Sequence, residues 1–187
     1  MIMFNLKYVV LSPVACLLLS AGMVHSAFAA DPVAINVTGT VVASPCTIDD
    51  SAASGLTIPL GTLQSADLSA AGSSSTWVPI DVKFKSCPAG TSSITATFHG
   101  TADDGDAATL YSNTAVDDGT NLAAKNVAVQ LEGLDSEPYG DGKTATIDIA
   151  SAGATPTFKM QTRAFSKAGG VTPGSIKAAI TMSFTYN

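Results

Sequence analysis

The residues able to do chemistry are few, and each fails a specific test. Past residue 29 the only cysteines and histidine are Cys46, Cys87 and His99. A structural zinc site needs four cysteines, or two cysteines with two histidines, so it is excluded. His99 follows Ile94, Ala96 and Phe98 on the opposite parity, which directs it to solvent. No G-x-S-x-G stretch offers a nucleophile elbow. Gly142-Lys143-Thr144 looks like the tail of a phosphate loop, but Glu137 stands five residues before Gly142, where that loop requires glycine. Asp103, Asp104 and Asp106 around Gly105 suggest a calcium loop, but Thr114 stands where its bidentate glutamate belongs. The remaining carboxylates show no paired arrangement that points to a glycosidase. The expectation is a protein that is not an enzyme and carries no cofactor or metal.

The elements that hold these residues read as strands. Residues 175–187, SIKAAITMSFTYN, alternate without a break. Ile176, Ala178, Ile180, Met182, Phe184 and Tyr186 share one parity; Lys177, Ala179, Thr181, Ser183 and Thr185 share the other. At ~3.3 Å per residue such a strand would extend roughly 40 Å. A long apolar strand at a chain end is an aggregation hazard unless something pairs with it. Residues 31–41 repeat the pattern, with Val33, Ile35, Val37, Gly39 and Val41 on one parity.

Between these segments the sequence predicts further short strands. They are carried by Leu56, Ile58 and Leu60; by Val78, Ile80, Val82 and Phe84; and by Ile94, Ala96 and Phe98. The series continues with Val127, Val129 and Leu131; with Ala145, Ile147 and Ile149; and with Phe158, Met160, Thr162 and Ala164. Pro79 confines its strand to an edge or a bulged start. Residues 64–76, 101–118 and 132–142 read as loops or turns. No stretch has a convincing 3.6-residue period, so the class is an all-β sandwich. The usual immunoglobulin signature fits poorly, since Lys85 stands where a tyrosine would precede the second cysteine.

Residues 1–29 read as a secretory signal peptide. Lys7 begins it, residues 8–23 are mostly apolar, and Ala27-Phe28-Ala29 gives cleavage between Ala29 and Ala30. A lipoprotein reading of Cys16 fits poorly, because Pro13 breaks the lipobox and Leu17-Leu18-Leu19 continues the apolar core. Fifteen Asp and Glu against nine Lys and Arg give a net charge of −6. That argues against nucleic acid or an anionic membrane as partner. In an exported chain the even pair Cys46 and Cys87 reads as one disulfide.

Two terminal strands, one disulfide and export together resemble the chaperone–usher pilin family. Val37-x-Gly39-x-Val41-Val42, then Pro45-Cys46-x-Ile48, is similar to that family's N-terminal extension running into its first cysteine. Cys87-Pro88 is similar to the second cysteine, and Gly174 with Tyr186 to the C-terminal chaperone-recognition pattern. The resemblance covers nearly all of residues 31–187 and is nearest to the minor, tip-fibrillum adaptor subunits of type 1 fimbriae.

The resemblance implies a six-stranded, incomplete immunoglobulin-like sandwich completed by a donor strand. It implies a signal peptide over 1–29, a donor extension over 30–43 and a pilin domain over 44–187. Val33, Ile35, Val37, Gly39 and Val41 would enter a neighbour's groove, with Gly39 a gap between side chains. Gly174, Ile176, Ile180, Met182, Phe184 and Tyr186 would edge this chain's own groove. The implied partners are a periplasmic pilus chaperone, whose basic cleft takes the terminal carboxylate, an outer-membrane usher and neighbouring fimbrial subunits. The implied destination is the cell-surface fimbrium, where the fibre supports adhesion. A major rod subunit is the alternative role. A carbohydrate-binding tip adhesin fits less well, because such adhesins add a lectin domain and lack the extension.

Overall fold

The computed structural model describes residues 35–152 and 155–187. The signal peptide and Ala29–Ala30 cleavage site expected from the sequence, and Val33, lie outside the described residues. The chain divides into two units, Met1–Gly39 and Thr40–Asn187. In the first, residues 35–39 have no regular structure and are exposed.

The second unit is a β-sandwich. In chain order it contains β1 (Thr47–Ile48), the one-turn helix α1 (Asp50–Ala53), a 3₁₀ turn (Ser65–Leu68), β2 (Ser73–Ser74) and β3 (Val78–Lys85). Next come β4 (Ser93–Gly100), β5 (Leu110–Ser112), β6 (Ala128–Gly133) and β7 (Thr144–Asp148). The one-turn helix α2 (Ile149–Ala152), β8 (Thr157–Ser166) and β9 (Ile180–Tyr186) complete it. The larger sheet has the order β1-β3-β8-β6-β5, with β2 also on β8; the smaller is β7-β4-β9. All these ladders are antiparallel.

Alternation in the sequence builds the core. Ile94, Ala96 and Phe98 of β4 are fully buried, and they face Val82 and Phe84 of β3 and Phe158 and Met160 of β8. Phe84 meets Phe158 and Phe184 edge-on, with centroids 6.0 and 5.0 Å away. Phe98 stacks on Tyr139 at 4.5 Å. Pro79 is tolerated because β1 pairs with β3 only at Phe84 and Lys85, leaving the flank at Pro79 free.

Several sequence expectations change. Residues 101–118 are not wholly an exposed loop. Leu110 and Tyr111 lie buried in β5, and the Tyr111 hydroxyl donates to Tyr139 O at 2.8 Å. Burial pushes that phenol's pKa well up. Residues 132–142 are only partly a turn, since Glu132 belongs to β6 and Tyr139 is buried. Ile149 opens α2 instead of ending β7. The final strand is seven residues, not thirteen. Its partner β4 ends at Gly100, opposite Ile180, so residues 175–179 have no ladder to continue.

Cys46 and Cys87 are joined by a disulfide spanning 41 positions. It ties the chain entering β1 to the exit of β3. Closing a loop of this size stabilises by roughly 4 kcal/mol in the loop-entropy model. We expect Cys46→Ser to lower periplasmic yield strongly and to reduce the melting temperature. Wild-type yield with an unchanged melting temperature would contradict that role.

Candidate functional site

Central β4 is sealed, but the strand beside it is not. Ile180, Met182, Phe184 and Tyr186 of β9 are only half-buried, although their parity faces the core. The side chains are therefore directed inward with part of their cover missing.

The hydrogen bonding gives the reason. Ser93 N–H donates to Asn187 O, and Asn187 N–H to Ser93 O, each at 3.1 Å. That doubly bonded pair sets the phase of the ladder. Thr185 is opposite Thr95, Ser183 opposite Thr97 and Thr181 opposite His99. Because bonded pairs alternate along an antiparallel ladder, these residues also bond toward β4. The N–H and C=O groups of Ile180, Met182, Phe184 and Tyr186 consequently point the other way. No neighbouring strand pairs with that edge among the described residues.

The edge borders a groove of about 1330 Å³. Ile80, Val82 and Met160 form its floor, with Met182 and Phe184 along the β9 rim. Leu68, Ala124 and Ile176 line it beyond Ile180. The opposite rim is residues 56–63. Leu56, Ile58 and Leu60 were expected to make a strand there, but no ladder forms. None of the backbone groups of residues 56–63 bonds to another described backbone group. Two rims with unpaired backbone thus flank an apolar floor, a geometry that fits one extended chain lying between them.

The sequence-derived groove residues fall in two groups. Ile176, Ile180, Met182 and Phe184 line the groove. Tyr186 is half-buried, its hydroxyl 3.4 Å from Cys46 O, and burial raises its pKa. Gly174 lines one end, where a Cβ would stand 2.6 Å from Ala123 C and Leu122 O. Of the extension residues, Ile35, Val37 and Val41 are 83%, 90% and 98% exposed. Nothing lies within 4 Å of the position a Cβ would take on Gly39. Sequence reasoning missed the 56–63 rim as part of the site, and also Leu68 and Ala124. Its signal was available in the alternation of Leu56, Ile58 and Leu60.

The chemistry-bearing residues lie elsewhere. His99 is exposed, its Nδ1 3.9 Å from Asp141. Asp103 accepts from Gly105 N–H, and Asp106 lies 4.0 Å from Lys167. Among the described residues no group of three or more His, Cys, Asp or Glu is arranged to hold a metal. No described helix is long and apolar enough to cross a membrane.

A two-sheet sandwich with one core-facing strand left half-covered defines a pilin-type subunit, an incomplete immunoglobulin-like fold. The chain belongs to the fimbrial protein family, whose sequence profile matches residues 35–187. It is similar to Protein FimG of Escherichia coli K12, 36% identical over 155 residues, covering 83% of this chain and 85% of that one. It is also similar to the S-fimbrial adhesin protein SfaS of Escherichia coli O6:K15:H31, 33% identical over 173 residues, covering 91% and 96%. Among solved structures, the antigen and type I fimbria protein of Burkholderia pseudomallei superposes with a TM-score of 0.53 at 25% identity, covering 77% and 90%. The P pilus rod subunit PapA shares the fold, with a TM-score of 0.60 at 19% identity, covering 77% and 100%. The protein is a structural subunit of a fimbria.

In the isolated subunit the amides of β9 should exchange in alternation. Those of Met182 and Phe184 should exchange fast, and those of Thr181, Ser183 and Thr185 slowly. Hydrogen exchange followed by NMR checks this; uniform protection along β9 would contradict the free edge.

Proposed function

We propose that this subunit polymerises by strand donation and serves as a minor adaptor between two others in a chaperone–usher fimbria. The observation that supports it most directly is the β9 edge, whose unpaired backbone borders an apolar groove. In the periplasm a chaperone strand fills that groove, holding the subunit until the outer-membrane usher. In the fibre at the cell surface, the extension of a neighbouring subunit replaces it. The subunit's own extension does the same for the next groove, inserting Val33, Ile35, Val37 and Val41. Four such side chains would contribute about 6–12 kcal/mol as an upper bound. The role is assembly and not turnover. The adaptor is preferred to the rod subunit because the sequence resemblance is nearest to the minor subunits, and the similarity to FimG over most of both chains supports membership of a fimbria.

Gly39 separates the two parts of this reading. Gly39→Leu should leave yield of the chaperone–subunit complex unchanged, because the extension is not part of the subunit's own core. It should slow exchange of that complex with an acceptor subunit by tenfold or more, through a clash where the acceptor groove is shallow. Loss of the complex itself would contradict the reading.

The chaperone end has its own test. Asn187 O accepts from Ser92 N–H, and Asn187 N–H closes the ladder on Ser93. Deleting Tyr186 and Asn187 should abolish co-purification with the chaperone and lead to degradation. Co-purification at wild-type level would count against the proposed capture.

A further inference from the structure

The groove has an end as well as two rims, and one side chain holds it. Asn113 uses its amide on both sides. Its Nδ2 donates to Ala124 O at 2.8 Å and to Ser175 O at 2.9 Å. Its Oδ1 accepts from Ala115 N–H at 3.1 Å and from Lys177 N–H at 2.9 Å. An asparagine amide offers two donor hydrogens and two acceptor lone pairs, so all four are engaged. Thr114 adds two bonds to Lys177 O, from its N–H at 2.7 Å and its hydroxyl at 3.1 Å.

These bonds join three separate pieces of chain: residues 113–115, Ala124 and residues 175–177. The last piece lies two residues before β9. Two residues of the groove lining, Ala124 and Ile176, thereby lie on pieces tied to the same side chain. The seam is tight, since Ser175 N–H donates to Leu122 O at 2.7 Å and Ala124 N–H to Ser175 O at 3.0 Å. No ladder holds residues 176–179, so besides the packing of Ile176 and Ala178 against the core, Asn113 and Thr114 supply the polar bonds that fix them.

We propose that Asn113 is a positioning residue that acts as the end-stop of the groove. By pinning residues 175–177 to Ala124, it fixes where the open edge begins and hence the register of an incoming strand. This rests on the strand-donation reading above. The register matters because a slip of one residue turns every side chain of a strand to the wrong face, and a slip of two shifts each into the next site.

The test uses the subunit captured with its chaperone and challenged with a synthetic peptide of residues 31–43. The peptide carries a photo-crosslinker in place of Val37, and mass spectrometry maps the groove residue it labels. Wild type should give one dominant crosslinked position. Asn113→Asp keeps the acceptor half of the staple but sets a carboxylate against Ala124 O and Ser175 O; Asn113→Ala removes both halves. Both variants should spread the crosslinks by two residues along β9. Amide exchange at Lys177 should rise about tenfold or more in Asn113→Ala, as expected when a bond of this kind is lost, while Ser183 keeps its protection. If Asn113→Ala fails to accumulate, Asn113→Asp carries the test. An unshifted single crosslink in a folded variant would overturn the end-stop role. Failure of wild type to take up this peptide and the extension peptides of the fimbria's other subunits would instead overturn strand donation, and the end-stop with it.

Discussion

An antiparallel strand inside a sandwich has two backbone edges, and β9 has a partner on only one. The odd-numbered residues of its ladder bond to β4, while Ile180, Met182, Phe184 and Tyr186 turn their backbone groups outward. A buried, unpaired N–H or C=O is costly, so an apolar strand left this way is stable only while water or another chain satisfies it. Much of the site follows from that constraint. β9 is half-covered where β4 is sealed, residues 56–63 stay unpaired, and the two face each other across an apolar floor.

A sandwich short of a strand needs compensation. The aromatic trio Phe84, Phe158 and Phe184 bridges the two sheets close to the groove, so part of the core persists without the missing element. The Cys46–Cys87 disulfide fixes the chain entering β1 against the exit of β3, where the ladder is only two residues long. Tyr111 and Tyr139 seal the core at the Phe98–Gly100 end of β4, with Phe98 stacked on Tyr139. These ties hold the two sheets together without the missing strand, which leaves the groove free to exchange its contents.

Much of this was legible in the sequence, because period-2 alternation reports burial directly. β3, β4, β8 and the groove-facing parity of β9 follow from Val82, Phe84, Ile94, Phe98, Met160, Phe184 and their neighbours. Alternation says which face is apolar, however, and not whether a partner strand exists. That is why residues 56–60 read as a strand and form none, and why residues 175–179 read as a continuation of β9. β5 was hidden because its acidic, small-residue surroundings outweigh the two-residue apolar signal of Leu110 and Tyr111. The Asn113 staple has no sequence signature at all. Its four partners come from three segments, and only the folded chain brings them together.

The central claim is that the strand completing this groove comes from another chain. The direct measurement places single cysteines at Val37 and at Met182 and isolates fimbriae assembled from a mixture of isotopically light and heavy subunits. Crosslinked peptides are then read by mass spectrometry. The account predicts that Met182 links to the extension of a different polypeptide, so that its crosslinks include light–heavy pairs or join it to another subunit type. Crosslinks confined to Val37 and Met182 of one and the same chain would contradict it.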